Sequence, residues 1–261
     1  MGEKAPSRPP RVYVPDLAEQ RAAFEENPKK EILLREEERE HLRSRRLRDG
    51  DEVVVIDGKG ARAAAMLTRG GAAIALLPSK KIFSSSSALA SSPRPVLPGE
   101  PANRVVVALA CAEPARIEWA IEKGTECGAA SFVLVDAERS QRSHVAALSS
   151  PSRLERLRKI AVEATKQCDR TIVPSVEGPK STGDFLGRVR GETLIVLDPA
   201  GRESAQRSGA AVVAIGPEGG FASGEISLFA EKSPVFLSLG PRILRLETAV
   251  VVALARLVDP A

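Results

Sequence analysis

The stretch Ile215-Gly216-Pro217-Glu218-Gly219-Gly220-Phe221 surrounds one acid with three glycines and a proline. Residues without a Cβ let main-chain N–H and C=O groups come close to a ligand. Such a loop first suggests a phosphate cradle, with Glu218 as the one side chain in it that can trade a proton. Leu197-Asp198-Pro199 and Leu239-Gly240-Pro241 likewise close apolar runs with Gly or Pro. Each of the three stretches follows a run that reads as a buried strand. In open α/β sheets, ligands gather outside the carboxyl ends of the strands, so three such ends predict one pocket walled by backbone. No G-x-x-x-x-G-K-[ST] loop occurs, which disfavours a nucleoside triphosphate.

Metal chemistry finds little support. The cysteines are Cys111, Cys127 and Cys168, the histidines His41 and His144, and no two cysteines make a C-x-x-C pair. No metal site is expected, and the cysteines read as buried free thiols. The net charge of +4 is mild, but the basic residues cluster. Between Arg139 and Arg170 eight Lys/Arg, among them Arg153, Arg156 and Lys159, face three acids. Arg43, Arg45, Arg46 and Arg48 form a second knot. Such patches suit a phosphate backbone, and equally a solvated helix face. No apolar run reaches the ~18 residues of a membrane span, and no signal-peptide segment opens the chain, so a cytoplasmic protein is expected.

The elements that must hold these residues fall into two groups. Residues 1–10 read as a disordered tail and 11–78 as a small, mostly β domain. In it, 11–14, 52–56, 61–68 and 72–77 are strands and 36–41 a short helix. Gly58-Lys59-Gly60-Ala61-Arg62-Ala63 fits a dinucleotide fingerprint, but no helix or later acid follows, so Asp57-Gly58 reads as a hairpin turn. The Ser- and Pro-rich stretch 79–102 reads as a mobile linker. From residue 103 strands alternate with helices, predicting a mostly parallel α/β domain over 103–259. Its expected strands are 105–109, 132–135, 193–197, 212–215 and 235–239. Its expected helices are 114–128, 152–168, one capped by Ser223, and 243–258.

Two motifs, Ile215-Gly216-Pro217-Glu218-Gly219-Gly220 and Leu239-Gly240-Pro241-Arg242-Ile243-Leu244-Arg245-Leu246-Glu247-Thr248-Ala249, together resemble the C-terminal signature of the RsmE family. Glu138-Arg139-Ser140, and 159–170, are similar to its internal motifs. His41-Leu42, Gly50-Asp51 and Asp57-Gly58 are similar to its N-terminal PUA-like domain. Cys127-Gly128 departs from the usual Leu-Gly, and the linker is long. The resemblance implies an α/β trefoil-knotted SPOUT domain with a mostly parallel sheet, plus a small β-rich PUA-like barrel. It also implies S-adenosylmethionine as cofactor, 16S ribosomal RNA of the small subunit as partner, and a homodimer formed through the knotted domain. The activity it implies is methylation of uridine N3.

On that reading the three strand ends hold the cofactor through Leu197, Ile215, Gly216, Pro217, Glu218, Gly219, Gly220, Leu239, Gly240, Ile243 and Leu244. Uridine N3 carries a proton, so the base must be deprotonated or its anion stabilised as the methyl arrives. Arginine suits the second role. Arg245 and Arg139 are therefore the expected catalytic residues, and Glu218 an organiser of its loop. Arg43, Arg45, Arg46, Arg153, Arg156, Lys159 and Arg170 are expected to grip RNA. Two readings stay open beside this one: a non-catalytic RNA-binding assembly factor, and a knotted enzyme that methylates ribose 2′-OH or another base.

Overall fold

The computed structural model describes residues 9–27, 30–77, 99–202 and 209–259. Most of the expected tail (1–8) and linker (79–98) lies outside the described residues. The described residues form two units. One holds those up to Gly99 together with Asp169–Ile172; the other holds Glu100–Cys168 and those from Val173 onward.

The smaller unit runs β1 (Arg11–Tyr13), α1 (Leu17–Glu26), β2 (Glu31–Leu33), α2 (Glu36–Ser44), β3 (Glu52–Ile56), β4 (Arg62–Thr68) and β5 (Ala73–Leu76). Its strands make one five-stranded sheet in the order β1-β3-β4-β5-β2. Val12, Val53, Val55, Ala65, Leu67 and Ile74 form its core. The Asp57 carboxylate accepts the N–H groups of Lys59 at 2.7 Å and Ala61 at 2.9 Å, so the G-x-G-x-x-A stretch is a hairpin. The sequence reading missed α1 and β2. β2 is only three residues long, too short for alternation to show, and α1 buries little beyond Leu17. Asp169–Ile172 belongs to this unit: the Arg11 guanidinium donates to the Arg170 carbonyl at 2.8 Å and pairs with Asp169 at 2.8 Å.

The larger unit is β6 (Val105–Ala110), α3 (Pro114–Glu126), β7 (Ser131–Asp136), α4 (Arg142–Leu148), α5 (Pro151–Gln167), β8 (Ser175–Ser181), α6 (Thr182–Leu186), β9 (Thr193–Arg202), β10 (Ala211–Ile215), α7 (Ser223–Ala230), β11 (Val235–Leu237) and α8 (Leu246–Leu257). Its six strands are all parallel, in the order β11-β9-β10-β6-β7-β8. Both faces of β6 are buried. Val105, Val107 and Leu109 join one apolar cluster and Val106 and Ala108 the other, as a sheet covered by helices on both sides requires. Gly124 allows α3 its place: a Cβ there would sit 2.8 Å from the Phe132 ring and 3.2 Å from Val250 of α8.

The alternating α/β pattern holds, and several boundaries move. A further strand, β8, was not expected, because Gly178-Pro179 interrupts its pattern. β9 does not end at Asp198-Pro199. It continues to Arg202, but between Phe236 and Leu237 its register with β11 jumps from Val196 to Arg202, so 197–201 bulge out of the ladder. α7 is capped at Ala222 rather than Ser223, and α8 begins at Leu246 because Arg245 is extended (φ −65, ψ 153).

Candidate active site

Val196 pairs with both Ala214 and Phe236, so β9, β10 and β11 reach their carboxyl edge level with one another. The residues beyond that rung are Leu197, Ile215-Gly216 and the 238–245 loop. These are the three stretches whose Gly and Pro residues stood out in the sequence. Arg256 of α8, which the sequence reading passed over, holds the third loop. Its guanidinium donates to the carbonyls of Ser238 at 3.0 Å and Leu239 at 3.4 Å. Gly240 has φ +114, a conformation side chains rarely adopt, and a Cβ there would meet nothing within 4 Å. Leu197, Leu239 and Leu244 pack against the core, Ile215 is inside it, and Ile243 is 79% exposed.

The Gly-rich loop has a second face. A cleft of about 500 Å³ brings Arg139, Pro217, Glu218 and Gly219 together with Arg116, Ser140, His144 and Leu246. Arg139 donates to the Gly219 carbonyl at 2.6 Å. Arg116, at the start of α3, pairs with Glu218. That hydrogen bond holds the Glu218 carboxyl below the usual carboxylate range, with the charge of Arg245 contributing less. Glu218 is thus a poor proton acceptor, and Arg245 lies within electrostatic reach of it. Cys111, also on the cleft, is pushed up to about 12 by burial first and by Asp136 second, and stays a thiol. The Ser140 hydroxyl is buried without a hydrogen-bond partner among the described residues.

One buried carboxylate orders both sides of this cleft. Glu225, 6% exposed, accepts the Glu138 N–H at 3.1 Å and the Thr182 hydroxyl at 2.6 Å through one oxygen. Its other oxygen accepts the Ala222 N–H at 2.9 Å. The loop bearing Arg139 and the loop ending in Phe221 therefore share one anchor. The sequence signal was an acid three residues after a helix cap, obscured because the cap is alanine.

Comparison with known proteins turns this geometry into a family. Residues 99–258 match an RNA methyltransferase domain and residues 34–74 an RNA methyltransferase PUA domain. Ribosomal RNA small subunit methyltransferase E of Mycobacterium bovis is 33% identical over 223 residues, which cover 80% of this chain and 79% of that protein. The chain belongs to the ribosomal RNA small subunit methyltransferase E family. The family member from Bacillus subtilis is 32% identical over 168 residues, 58% of this chain and 64% of the relative. Among solved structures, the family member from Neisseria gonorrhoeae bound to S-adenosylmethionine superposes with a TM-score of 0.76 at 24% identity, covering 95% of this chain and 96% of that one. A Legionella pneumophila methyltransferase with bound S-adenosylmethionine gives a TM-score of 0.75 at 25% identity, covering 96% and 97%. These likenesses establish a shared fold over nearly the whole length.

The residues expected to grip RNA divide by environment. Arg43, Arg45 and Arg46 at the end of α2 are exposed, Arg43 being paired with Glu36. Arg153 and Arg156 of α5 both bind Glu118 of α3, at 2.7 Å each, and Lys159 faces Glu155 at 3.5 Å. Arg170 needs correction: it is 3% exposed and belongs to the smaller unit's buried structure, so its side chain is not open to RNA. The long spacing between Arg170 and its surroundings hid this from a local reading.

Proposed function

We propose that this family member transfers the methyl group of S-adenosylmethionine to N3 of one uridine in 16S ribosomal RNA. The observation that carries the reading is the Arg139–Gly219 hydrogen bond, 2.6 Å, which fixes a cation beside the Gly-rich loop and on the wall of an open cleft. The cofactor would lie along the carboxyl edge, against Leu197, Ile215, Gly216, Leu239, Gly240, Ile243 and Leu244, where it supplies an electrophilic methyl group. Pro217, Glu218, Gly219 and Gly220 form the wall between that edge and the cleft. The cleft takes the uracil, swung out of its RNA stack. Loss of the N3 proton to water would spread negative charge onto the flanking carbonyls, where Arg139 and Arg245 would stabilise it until N3 takes the methyl carbon, the carbon–sulfur bond breaks and the sulfonium leaves as a neutral thioether. Glu218, neutralised by Arg116, orders the loop rather than acting as base.

The proposal extends to a trefoil knot in the last strand–loop units and to a homodimer joined through that domain. The placement of β11 beside β9, not beside its predecessor β10, supports the first. The test is nucleoside mapping after incubating the protein and labelled cofactor with small subunits from a strain lacking the modification. Label in 3-methyluridine is expected; label in a 2′-O-methylated nucleoside overturns the N3 assignment.

A further inference from the structure

The five-stranded sheet of the smaller unit has two edges, β1 and β2, and among the described residues no ladder joins them. Between them runs a cleft of about 390 Å³. Tyr13, Val14 and Gln20 line one side, and Lys30, Leu33 and Arg35 the other. Tyr13 is the only tyrosine of a chain with 3% aromatic residues. Leu33, across from it, is a large apolar side chain left 63% exposed. The two acids of the cleft are engaged: Asp16 accepts from Gln20 at 2.9 Å and Glu31 pairs with Arg69. Neither Lys30 nor Arg35 has an ion-pair partner among the described residues, and both are exposed. Burial first raises the Tyr13 hydroxyl above its ordinary value; the Arg35 charge opposes that rise and the charges of Asp57 and Glu38 add to it.

We infer that this seam binds one unpaired RNA nucleotide, its base against the Tyr13 ring and Leu33 and its flanking phosphates against Lys30 and Arg35. The argument is one of complementary chemistry. An aromatic face beside an apolar side chain suits the flat surface of any base, and stacking of this kind tolerates sequence. Lys30 and Arg35, with Glu31 neutralised by Arg69 and Asp16 hydrogen-bonded to Gln20, leave the seam with an excess of positive charge that suits the polyanionic strand on either side of the base. The volume admits a nucleotide but no duplex. The seam lies mostly before the matched PUA segment of 34–74, and it adds an RNA contact to the proposed reaction, on whose substrate class it rests.

The experiment uses the full chain and two fluorescent probes, a uridine oligonucleotide of about eight nucleotides and a blunt RNA duplex. Tyr13→Leu is expected to weaken the single strand roughly 10-fold and the duplex less than about 2-fold. Tyr13→Phe keeps the stack and stays within about 2-fold. Replacing Lys30 and Arg35 by alanine lowers the salt slope of single-strand binding by about 0.7 for each cation. Unchanged single-strand affinity in Tyr13→Leu, equal loss on the duplex, or loss in Tyr13→Phe as large as in Tyr13→Leu overturns the inference. If Tyr13→Leu does not fold, an unchanged salt slope in the double alanine variant overturns it alone. Cofactor titration of the wild type, run in parallel, separates the readings: no S-adenosylmethionine binding sinks the methyltransferase reading and leaves the seam measurement intact.

Discussion

Replacing Glu225 by glutamine tests whether one carboxylate positions both walls of the cleft. The wild-type side chain accepts three hydrogen bonds, from Glu138 N–H, Thr182 hydroxyl and Ala222 N–H. An amide keeps the shape but only one acceptor oxygen. Its better orientation leaves that oxygen facing Glu138 and Thr182 and turns an NH2 group toward the Ala222 N–H, donor against donor. One charge-assisted bond is lost and one buried N–H is orphaned, a cost of about 2–3 kcal/mol. The favourable placement of an anion in the first turn of α7 is lost as well, worth about 0.5 kcal/mol. At roughly 2–4 °C per kcal/mol for a domain of this size, Tm falls by about 5–14 °C. Glu225→Ala strips all three bonds and falls further. The functional readout is more telling. The glutamine variant still holds Glu138, and with it the Arg139 loop, but frees Ala222 beside the Gly-rich loop. Cofactor affinity, read by calorimetry, should therefore drop more than the single-turnover rate at saturating cofactor; Thr182→Val should do neither strongly. A Glu225→Gln protein with Tm within about 1 °C of wild type and unchanged cofactor affinity would refute the shared-anchor argument.

Arg245→Ala should cut single-turnover methylation about 100-fold with RNA saturating and leave cofactor affinity nearly unchanged, as expected for a group that meets charge only in the transition state; full activity removes it from the mechanism. Gly240→Val forces a branched side chain to φ +114, so cofactor affinity in calorimetry should fall at least tenfold, while a Gly240→Ala protein that binds normally would show that the 238–245 loop does not contact the ligand. Glu118 titrates low because Arg156 bonds it first and Arg153 also. Its folded-state pKa lies below the unfolded value, so this contribution is present above about pH 4.3 and fades as pH falls through the lowered folded value. The Tm gap between wild type and Glu118→Gln should accordingly be a few degrees at neutral pH and shrink progressively as pH falls below about 4.3; a gap independent of pH would mean the two arginines do not act through the carboxylate. Lys159→Ala leaves the Glu118 clamp untouched and should weaken RNA in filter binding without moving Tm, whereas unchanged RNA affinity assigns α5 a structural role.

What could be read locally was read. Val105 to Ala110 is apolar at every position because both faces are covered, and Ile117, Ala120, Ile121 and Gly124 repeat at helical spacing because α3 buries one stripe. Glycine and proline after β10 and β11 were visible because they interrupt an apolar run, whereas Asp198-Pro199 ends the apolar run but not the strand. The residues that fix those ends were not visible, for a physical reason. Arg256 acts on Ser238 and Leu239, Glu225 on Glu138 and Thr182, and Arg116 on Glu218, 17 to 102 positions away. Nothing in the type or spacing of a lone Glu or Arg reports a partner at that distance; only the closed fold does. Arg170 shows the converse, a cation that looks like part of a surface patch and is buried by a segment far along the chain. Local composition thus marked where the backbone must be special, and tertiary structure decided which charged side chains hold it there. Arg139 reaches the cleft because its guanidinium has a carbonyl of the Gly-rich loop to bind, and that carbonyl is available because Glu225 has set both loops.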